Sequence, residues 1–377
     1  MRYVGGMNAA FNGSRRSIPH LRVTPVVARL AQSAHRALGR VGNYLLPREA
    51  VMLNHIYNIK LLRCIWIAAE LGIADRLASG PMRLGDLARA VDADEDALRR
   101  VLRALASADI FVESPDGTFA QSRLSGCLAT DAPSSVRASA RYMGSQWNWA
   151  IWGSLMPTVR NGRTIHENLH QQPFFEYYEA NGYTPMFDAA MTGLSTLFAP
   201  AIVDGYEFGA VRTLVDIAGG EGALLAAILK ANPLLRGGLY ERPEVITRAR
   251  RANYLTAPEI QDRATFLSGD IFQAIPEDFD GYFMKWVLHD WSDKQAGRIL
   301  DNVRRAARRG ARLLVAEMVL ENRNTTANLL DVAMLALTGG RERTAAEYTA
   351  LFAKAGFDLV RIHPTASPFS VLEGVAR

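Results

Sequence analysis

Between Val211 and Val319 short apolar runs alternate with amphipathic stretches: Thr213–Ala218, Ala223–Ala231, Gly238–Tyr240, Glu244–Asn253, Thr265–Leu267, Tyr282–Val287, Lys294–Ala307 and Arg312–Val319. This alternation leaves few possible folds. Parallel strands need a crossover between them, the crossover is usually a helix, and the helices then cover both faces of the sheet. The second half of the chain is therefore predicted to be α/β, with a doubly wound, mostly parallel sheet. Two further apolar runs, Phe357–His363 and Phe369–Val375, are joined by a short loop holding Pro364 and Pro368, and are predicted to form a terminal antiparallel pair.

In such a sheet ligands sit outside the carboxyl ends of the strands, so the strand ends are where chemistry is sought. The first strand runs into Asp216-Ile217-Ala218-Gly219-Gly220-Glu221-Gly222 and straight on into a helix. Glycines at this turn let backbone approach a ligand and free the helix N-terminus to face it. Glu241 ends the second strand, where a carboxylate can accept hydrogen bonds from both hydroxyls of a ribose. Asp270 ends the third, within Gly269-Asp270-Ile271-Phe272. Glycines, an acid and a second acid at successive strand ends indicate a nucleoside site. The spacing is not that of the dinucleotide fingerprint, and no triphosphate-binding loop is present, so S-adenosylmethionine is the expected ligand.

The fourth strand ends in Met284-Lys285-Trp286-Val287-Leu288-His289-Asp290-Trp291-Ser292-Asp293. A lone histidine is more often a satisfied core or capping residue than a catalyst. Here its place in the same crevice reverses that preference. An imidazole, with an unperturbed pKa of about 6.5, can take a phenolic proton near neutral pH.

The first half reads differently. Residues 1–48 hold eight arginines and no acid, a charge of +8, which leaves −3 for the remainder of a chain whose total is +5. Such an arm is compatible with a transit peptide, with a nucleic-acid or membrane-surface tail, and with a solvated, disordered extension; the last is the commonest origin. Glu49–Leu71 has helical apolar spacing on more than one stripe, as expected of one long helix or a close pair that faces its own core and another subunit. Two shorter helices, a strand at Ile110–Glu113, a turn at Ser114-Pro115-Asp116-Gly117 and a returning strand follow, in winged-helix order. That order belongs to DNA-binding folds as well. The would-be recognition helix, however, balances Arg99, Arg100 and Arg103 with Asp94, Glu95 and Asp96, whereas a phosphate-binding helix normally shows positive excess. Residues 134–200 are predicted to be connecting helices crowded with aromatic side chains, which suit a planar ligand. Cys64 and Cys127 lack metal-site or disulfide-framework spacing, no apolar run of about 18 residues is found, and the expected setting is the cytoplasm, without membrane or nucleic-acid partners.

Taken in order, Leu71-Gly72-Ile73, Leu102-Arg103-Ala104-Leu105-Ala106, Asp216 to Gly222, Pro243-Glu244-Val245, Gly269 to Phe272, Val287 to Asp293 and Gly339-Gly340-Arg341-Glu342-Arg343-Thr344 form a specific set. From about Glu49 onward the chain resembles the S-adenosylmethionine-dependent O-methyltransferases of natural-product metabolism, the plant caffeate type and its bacterial relatives. The resemblance implies a class I methyltransferase fold (Rossmann-like) behind an N-terminal all-α, winged-helix-like dimerisation domain, and a homodimer. The expected divisions are 1–48, 49–135, 136–200 and 201–377. It implies that His289 is the catalytic base, flanked by Glu317 and Glu342. It further implies that Ser195, Asp216, Gly219, Gly220, Glu241, Asp270, Ile271, Phe272 and Lys285 contact the cofactor, Ser195 at the methionine carboxylate. Trp147, Phe187, Met191 and Met334 are expected to line the pocket of a phenolic or polyketide-like acceptor, with Trp286, Asp290 and Asp331. No metal is expected, because the sulfonium leaving group departs neutral.

Two positions depart from the family pattern. Ala218 replaces the first of three glycines, which is harmless where φ is negative, and Glu241 stands where aspartate is usual. Two rival readings stay open: a relative that binds the cofactor without methylating, and a DNA-binding regulator with a ligand-sensing domain.

Overall fold

The computed structural model describes residues 24–321 and 324–377. Within the basic arm, Pro25–Tyr44 form helix α1, started by Pro25 and by the Thr24 hydroxyl, which accepts the Val27 N–H at 3.4 Å. The arm is thus helical over this stretch, not a disordered extension; residues 1–23 lie outside the described residues. The long helical pattern is one helix, α2 (Arg48–Glu70), released at Gly72, whose φ of +64° suits glycine. Then come α3 (Ile73–Arg76), β1 (Met82–Arg83), α4 (Leu84–Ala90), α5 (Glu95–Ala106) and the hairpin β2 (Phe111–Glu113) and β3 (Thr118–Gln121). The three strands pair in the order β1-β3-β2, a join at Met82 that the sequence reading missed because two residues carry no period. Asp94 caps α5, whose Leu98, Leu102 and Leu105 recur at helical spacing and pack with Leu87, Phe111 and Phe119 in one core.

A helical cap follows: α6 (Arg137–Gly144), α7 (Gln146–Gly153), α8 (Leu155–Asn161), α9 (Ile165–Leu169), α10 (Phe174–Ala180) and α11 (Thr184–Gly205). The boundary expected at residue 200 falls inside α11. By length and composition α11 is also apolar enough to cross a membrane, contrary to the expectation that no such stretch exists. It packs against α6 and the C-terminal domain, and its Asp188 is ion-paired to Arg248 at 2.7 Å.

The C-terminal domain runs β4 (Thr213–Ile217), α12 (Ala223–Ala231), β5 (Arg236–Glu241), α13 (Pro243–Ala252), β6 (Ala264–Ser268), β7 (Gly281–Lys285), α14 (Asp293–Ala306) and β8 (Arg312–Glu317). It closes with α15 (Thr325–Leu337), α16 (Ala345–Lys354), β9 (Phe357–Pro364) and β10 (Ser370–Ala376). The sheet order is β6-β5-β4-β7-β8-β10-β9; β4 to β8 are parallel, and β10 lies antiparallel to both β8 and β9. Alternate residues serve opposite faces. Leu214, Phe283 and Leu314 pack with Ile202, Leu224 and Ile228 on one side. Val215, Met284 and Val315 pack with Ile299, Val303 and Phe352 on the other. Each such side chain contributes about 1.5–3 kcal/mol when fully buried. The chain leaves β4 toward β5 and β6, then returns to β7 on the opposite side. The crevice between the ends of β4 and β7 is therefore the topological switch point.

Candidate active site

At the end of β4 the backbone enters the left-handed region, with φ of +55° at Ala218, +62° at Gly220 and +84° at Gly222. The condition under which alanine is harmless here, a negative φ, is thus not met at Ala218. Its amide is fixed by the Tyr240 carbonyl at 2.8 Å, so the strand pairing imposes the turn on it. Gly219 has no room for a side chain, because a Cβ there would run into the Asp216 carboxylate and Leu239. Asp216 is buried, and its Oδ2 has no hydrogen-bond partner. Burial pushes it up to about 8 despite nearby Lys285, and burial likewise draws Lys285 down to about 8.

Glu241 folds back over the turn: Oε1 accepts the Gly220 N–H and Oε2 the Arg242 N–H, both at 3.0 Å. Burial nevertheless pushes it up to about 7. Asp270, exposed at the end of the β6 segment, accepts the Phe272 N–H at 2.8 Å, which shapes the turn through Ile271. An orphaned buried carboxylate oxygen, a turn with no room for a Cβ at Gly219, and two acids at neighbouring strand ends fit a nucleoside-bearing cofactor. The Ser195 hydroxyl donates to the Met191 carbonyl one turn back, at 2.8 Å. Thr192, one turn earlier on the same helix, bonds Glu221 of the glycine turn at 2.9 Å.

Beyond β7 the chain turns at Trp286, φ +54°, and places His289 in a short 3-10 turn. Glu317, the last residue of β8, accepts the amides of Val287 and His289 at 3.2 and 3.4 Å, so one carboxylate holds this turn. Glu342 meets His289 Nδ1 at 2.6 Å, and Glu317 Oε2 lies 3.8 Å from the same nitrogen. Nε2 points away from both, 3.7 Å from Asp290. The Trp286 indole lies parallel to the imidazole, with centroids 5.8 Å apart. Burial raises Asp290, Glu317 and Glu342 to about 6, about 7 and about 8.

The loops carrying His289 and Glu342 interlock. Arg341 N–H donates to the His289 carbonyl at 2.8 Å, and a Cβ on Gly340 would collide with that carbonyl. Asp331 on α15 accepts the Glu342 N–H at 2.8 Å, so it positions Glu342. Arg343, quoted in the motif but assigned no role from sequence, is fully buried and donates to the carbonyls of Leu288 and Trp291 at 2.8 Å and to Asp293 at 2.9 Å. Its place inside the Gly339–Thr344 motif is the signal the sequence offers for it.

Over this floor lies a line of rings. Phe272 meets Trp291 edge-on at 4.7 Å; Trp291 is 6.1 Å from Phe175, and Phe175 is 6.3 Å from Phe187. Phe187 meets Tyr142 at 5.6 Å, which meets Trp147 at 5.2 Å. Met191 packs in the same cluster, and Met334 is buried on α15, which contacts α7, α8 and α9 of the cap.

Residues 152–358 match the O-methyltransferase domain family, and residues 53–131 match the O-methyltransferase dimerisation domain. The chain is 35% identical to a phenazine O-methyltransferase of Lysobacter antibioticus, covering 87% of this chain and 96% of that one. It is 38% identical to the mitomycin biosynthesis 6-O-methyltransferase of Streptomyces lavendulae, over 82% and 90%. The solved structure of the mitomycin 7-O-methyltransferase MmcR superposes with a TM-score of 0.80 at 35% identity, covering 92% of this chain and 100% of that one. Matched in both of its halves, and over most of each relative's length, the chain belongs to the O-methyltransferase family that draws its methyl group from S-adenosylmethionine.

Proposed function

We propose that this enzyme methylates a hydroxyl of a small aromatic molecule, phenolic or polyketide-like, with His289 Nε2 as the general base. The observation that carries the reading is the 2.6 Å contact of Nδ1 with Glu342. An Nδ1–H donated to that carboxylate leaves the Nε2 lone pair free, in the turn that follows β7. Asp216, Glu241, Asp270 and Lys285 would hold the cofactor, with Gly219 and Gly220 as its cradle. When bound, S-adenosylmethionine supplies an electrophilic methyl on a sulfonium. The protein's part is then to align the acceptor oxygen and remove its proton as that oxygen attacks. Aromatic acceptors fit Phe175, Phe187 and Trp147, and the names of the phenazine and mitomycin relatives support a ring-bearing acceptor.

The arm and the domain through about residue 135 serve assembly of a homodimer in this reading, not DNA binding. In support, Arg99, Arg100 and Arg103 of α5 are each paired to an acid, Glu95, Asp96 and Glu113. Free Cys64 and Cys127 fit a reducing cytoplasm. The test is His289→Ala assayed on a panel of phenols. We expect kcat to fall about 10²- to 10⁴-fold with calorimetric affinity for S-adenosylmethionine unchanged. Turnover within a few-fold of wild type would remove His289 from the chemistry.

A further inference from the structure

The His289 cluster holds more ligating atoms than proton transfer uses. His289 Nδ1, one oxygen of Glu317 and one of Glu342 lie within 4.8 Å of one another, and all three residues are buried. Glu317 Oε1 serves two backbone amides and Glu342 Oε1 serves Nδ1, yet Oε2 of each glutamate has no hydrogen-bond partner. Buried carboxylate oxygens are ordinarily satisfied, and two orphans beside one imidazole call for an explanation. One nitrogen and two oxygens are a donor set for zinc and its neighbours, which accept three protein ligands and one open position. Magnesium and calcium require six or more oxygens.

We infer that this cluster binds a single transition-metal ion, Zn²⁺ or Co²⁺, and that binding switches methyl transfer off. Adjacent ligand atoms on tetrahedral zinc are about 3.3 Å apart, given bonds of about 2.0–2.2 Å. The present separations from Nδ1 are 2.6 Å to Glu342 and 3.8 Å to Glu317, and all three ligand atoms lie within 4.8 Å of one another, so shifts of up to about 1.5 Å bring them to that spacing. On binding, the single imidazole proton moves from Nδ1 to Nε2 by exchange with solvent, any proton held by the two buried carboxyls is released, the Nδ1–Glu342 hydrogen bond is lost, and bonds from Nδ1 and the two carboxylates to the metal replace it, with no redox change. A neutral imidazole metallated at Nδ1 carries its proton on Nε2. It then has no lone pair with which to take the acceptor's proton, so the metal is an inhibitor and not a cofactor.

The full chain is titrated with Co²⁺ in thiol-free, non-chelating buffer, a readout that needs no turnover and so stands or falls apart from the methyl-transfer reading. We expect one equivalent per chain to produce visible d–d bands that Zn²⁺ displaces. Glu317→Gln and Glu342→Gln should each weaken Co²⁺ binding at least tenfold. The double variant Cys64→Ser/Cys127→Ser should bind as wild type, and a slight excess of Zn²⁺ should reduce its methyl transfer at least tenfold, reversibly with EDTA. Zinc-edge X-ray absorption of the wild type, which does not depend on a variant folding, should show only nitrogen and oxygen neighbours with one imidazole. Absence of Co²⁺ bands, sulfur in the zinc shell, or zinc inhibition that disappears in the cysteine-free variant would overturn the inference.

Discussion

At Ala218 a side chain occupies a backbone region that disfavours it by roughly 1–2 kcal/mol, whereas glycine there would cost about 0.5–1 kcal/mol in unfolded-state freedom. The two terms nearly cancel. Ala218→Gly should therefore leave Tm unchanged or raise it by the equivalent of up to about 1 kcal/mol in calorimetry, while Gly219→Ala, facing the Asp216 carboxylate, should lower both Tm and cofactor affinity. Glu241 adds a pH dependence. Its carboxyl is held up to about 7 by burial, so the native state binds this proton more tightly than the unfolded chain does. Its contribution is fully present below the usual carboxylate value and is lost as pH rises through about 7; Asp216, up to about 8, acts in the same direction. Cofactor affinity runs the other way, since the ionised carboxylate is the better acceptor for ribose hydroxyls. Calorimetric titrations at pH 5.5 and 8.5 should show tighter S-adenosylmethionine binding at the higher pH, and Glu241→Gln should flatten that slope. An undiminished slope in the variant would assign it to another group. Residue identities at the strand ends were readable because acids and glycines at those positions have few other uses. The φ of Ala218 and the back-bonded Ser195 hydroxyl were not, because both depend on neighbours that a linear pattern does not reveal.

Two loops, 286–293 and 339–344, carry the proposed base His289 and its partner Glu342. Arg343 joins them through bonds to two carbonyls of the first loop and to Asp293, the first residue of α14. Removing the guanidinium leaves those carbonyls buried and unpaired, at about 1–3 kcal/mol each. Lysine cannot replace a planar fork that reaches several acceptors. Arg343→Lys should thus lower Tm and reduce kcat more than tenfold while KM for the cofactor changes little, because the glycine turn after β4 is untouched. Equal losses in kcat and in cofactor binding would indicate a general collapse instead. The strands and helices of the sheet were legible because apolar runs of five or six residues alternate there with helical periods. The cap was legible only as helical and aromatic: with rings on all sides of α7 and α10 no stripe marks their packing, and α11, apolar nearly throughout, runs through the boundary expected at residue 200.

For the whole molecule the informative surface is apolar and uncovered. Along α1 and its C-cap, Val27, Leu30, Leu38, Val41 and Leu45 fall on one side by helical spacing and are each more than half exposed. On α2, Met52, Leu53, Ile56 and Ile59 are about half exposed, and the segment opens the region matching the dimerisation domain. Monomers rarely leave so large a contiguous apolar patch in water, and each such side chain offers up to about 1.5–3 kcal/mol on burial. Arg36 and Arg40 lie on the opposite side of α1 by helical spacing, so the helix can cover an apolar partner while its cationic side stays hydrated. The chain should therefore sediment as a dimer at micromolar concentration. Leu53→Asp/Ile56→Asp, which places two charges in that face, should shift it to monomer, and deletion of residues 1–46 should weaken the dimer at least tenfold if α1 extends the same contact. A truncated chain with undiminished dimer affinity would confine the interface to α2 and beyond, and would leave α1 free to serve another surface.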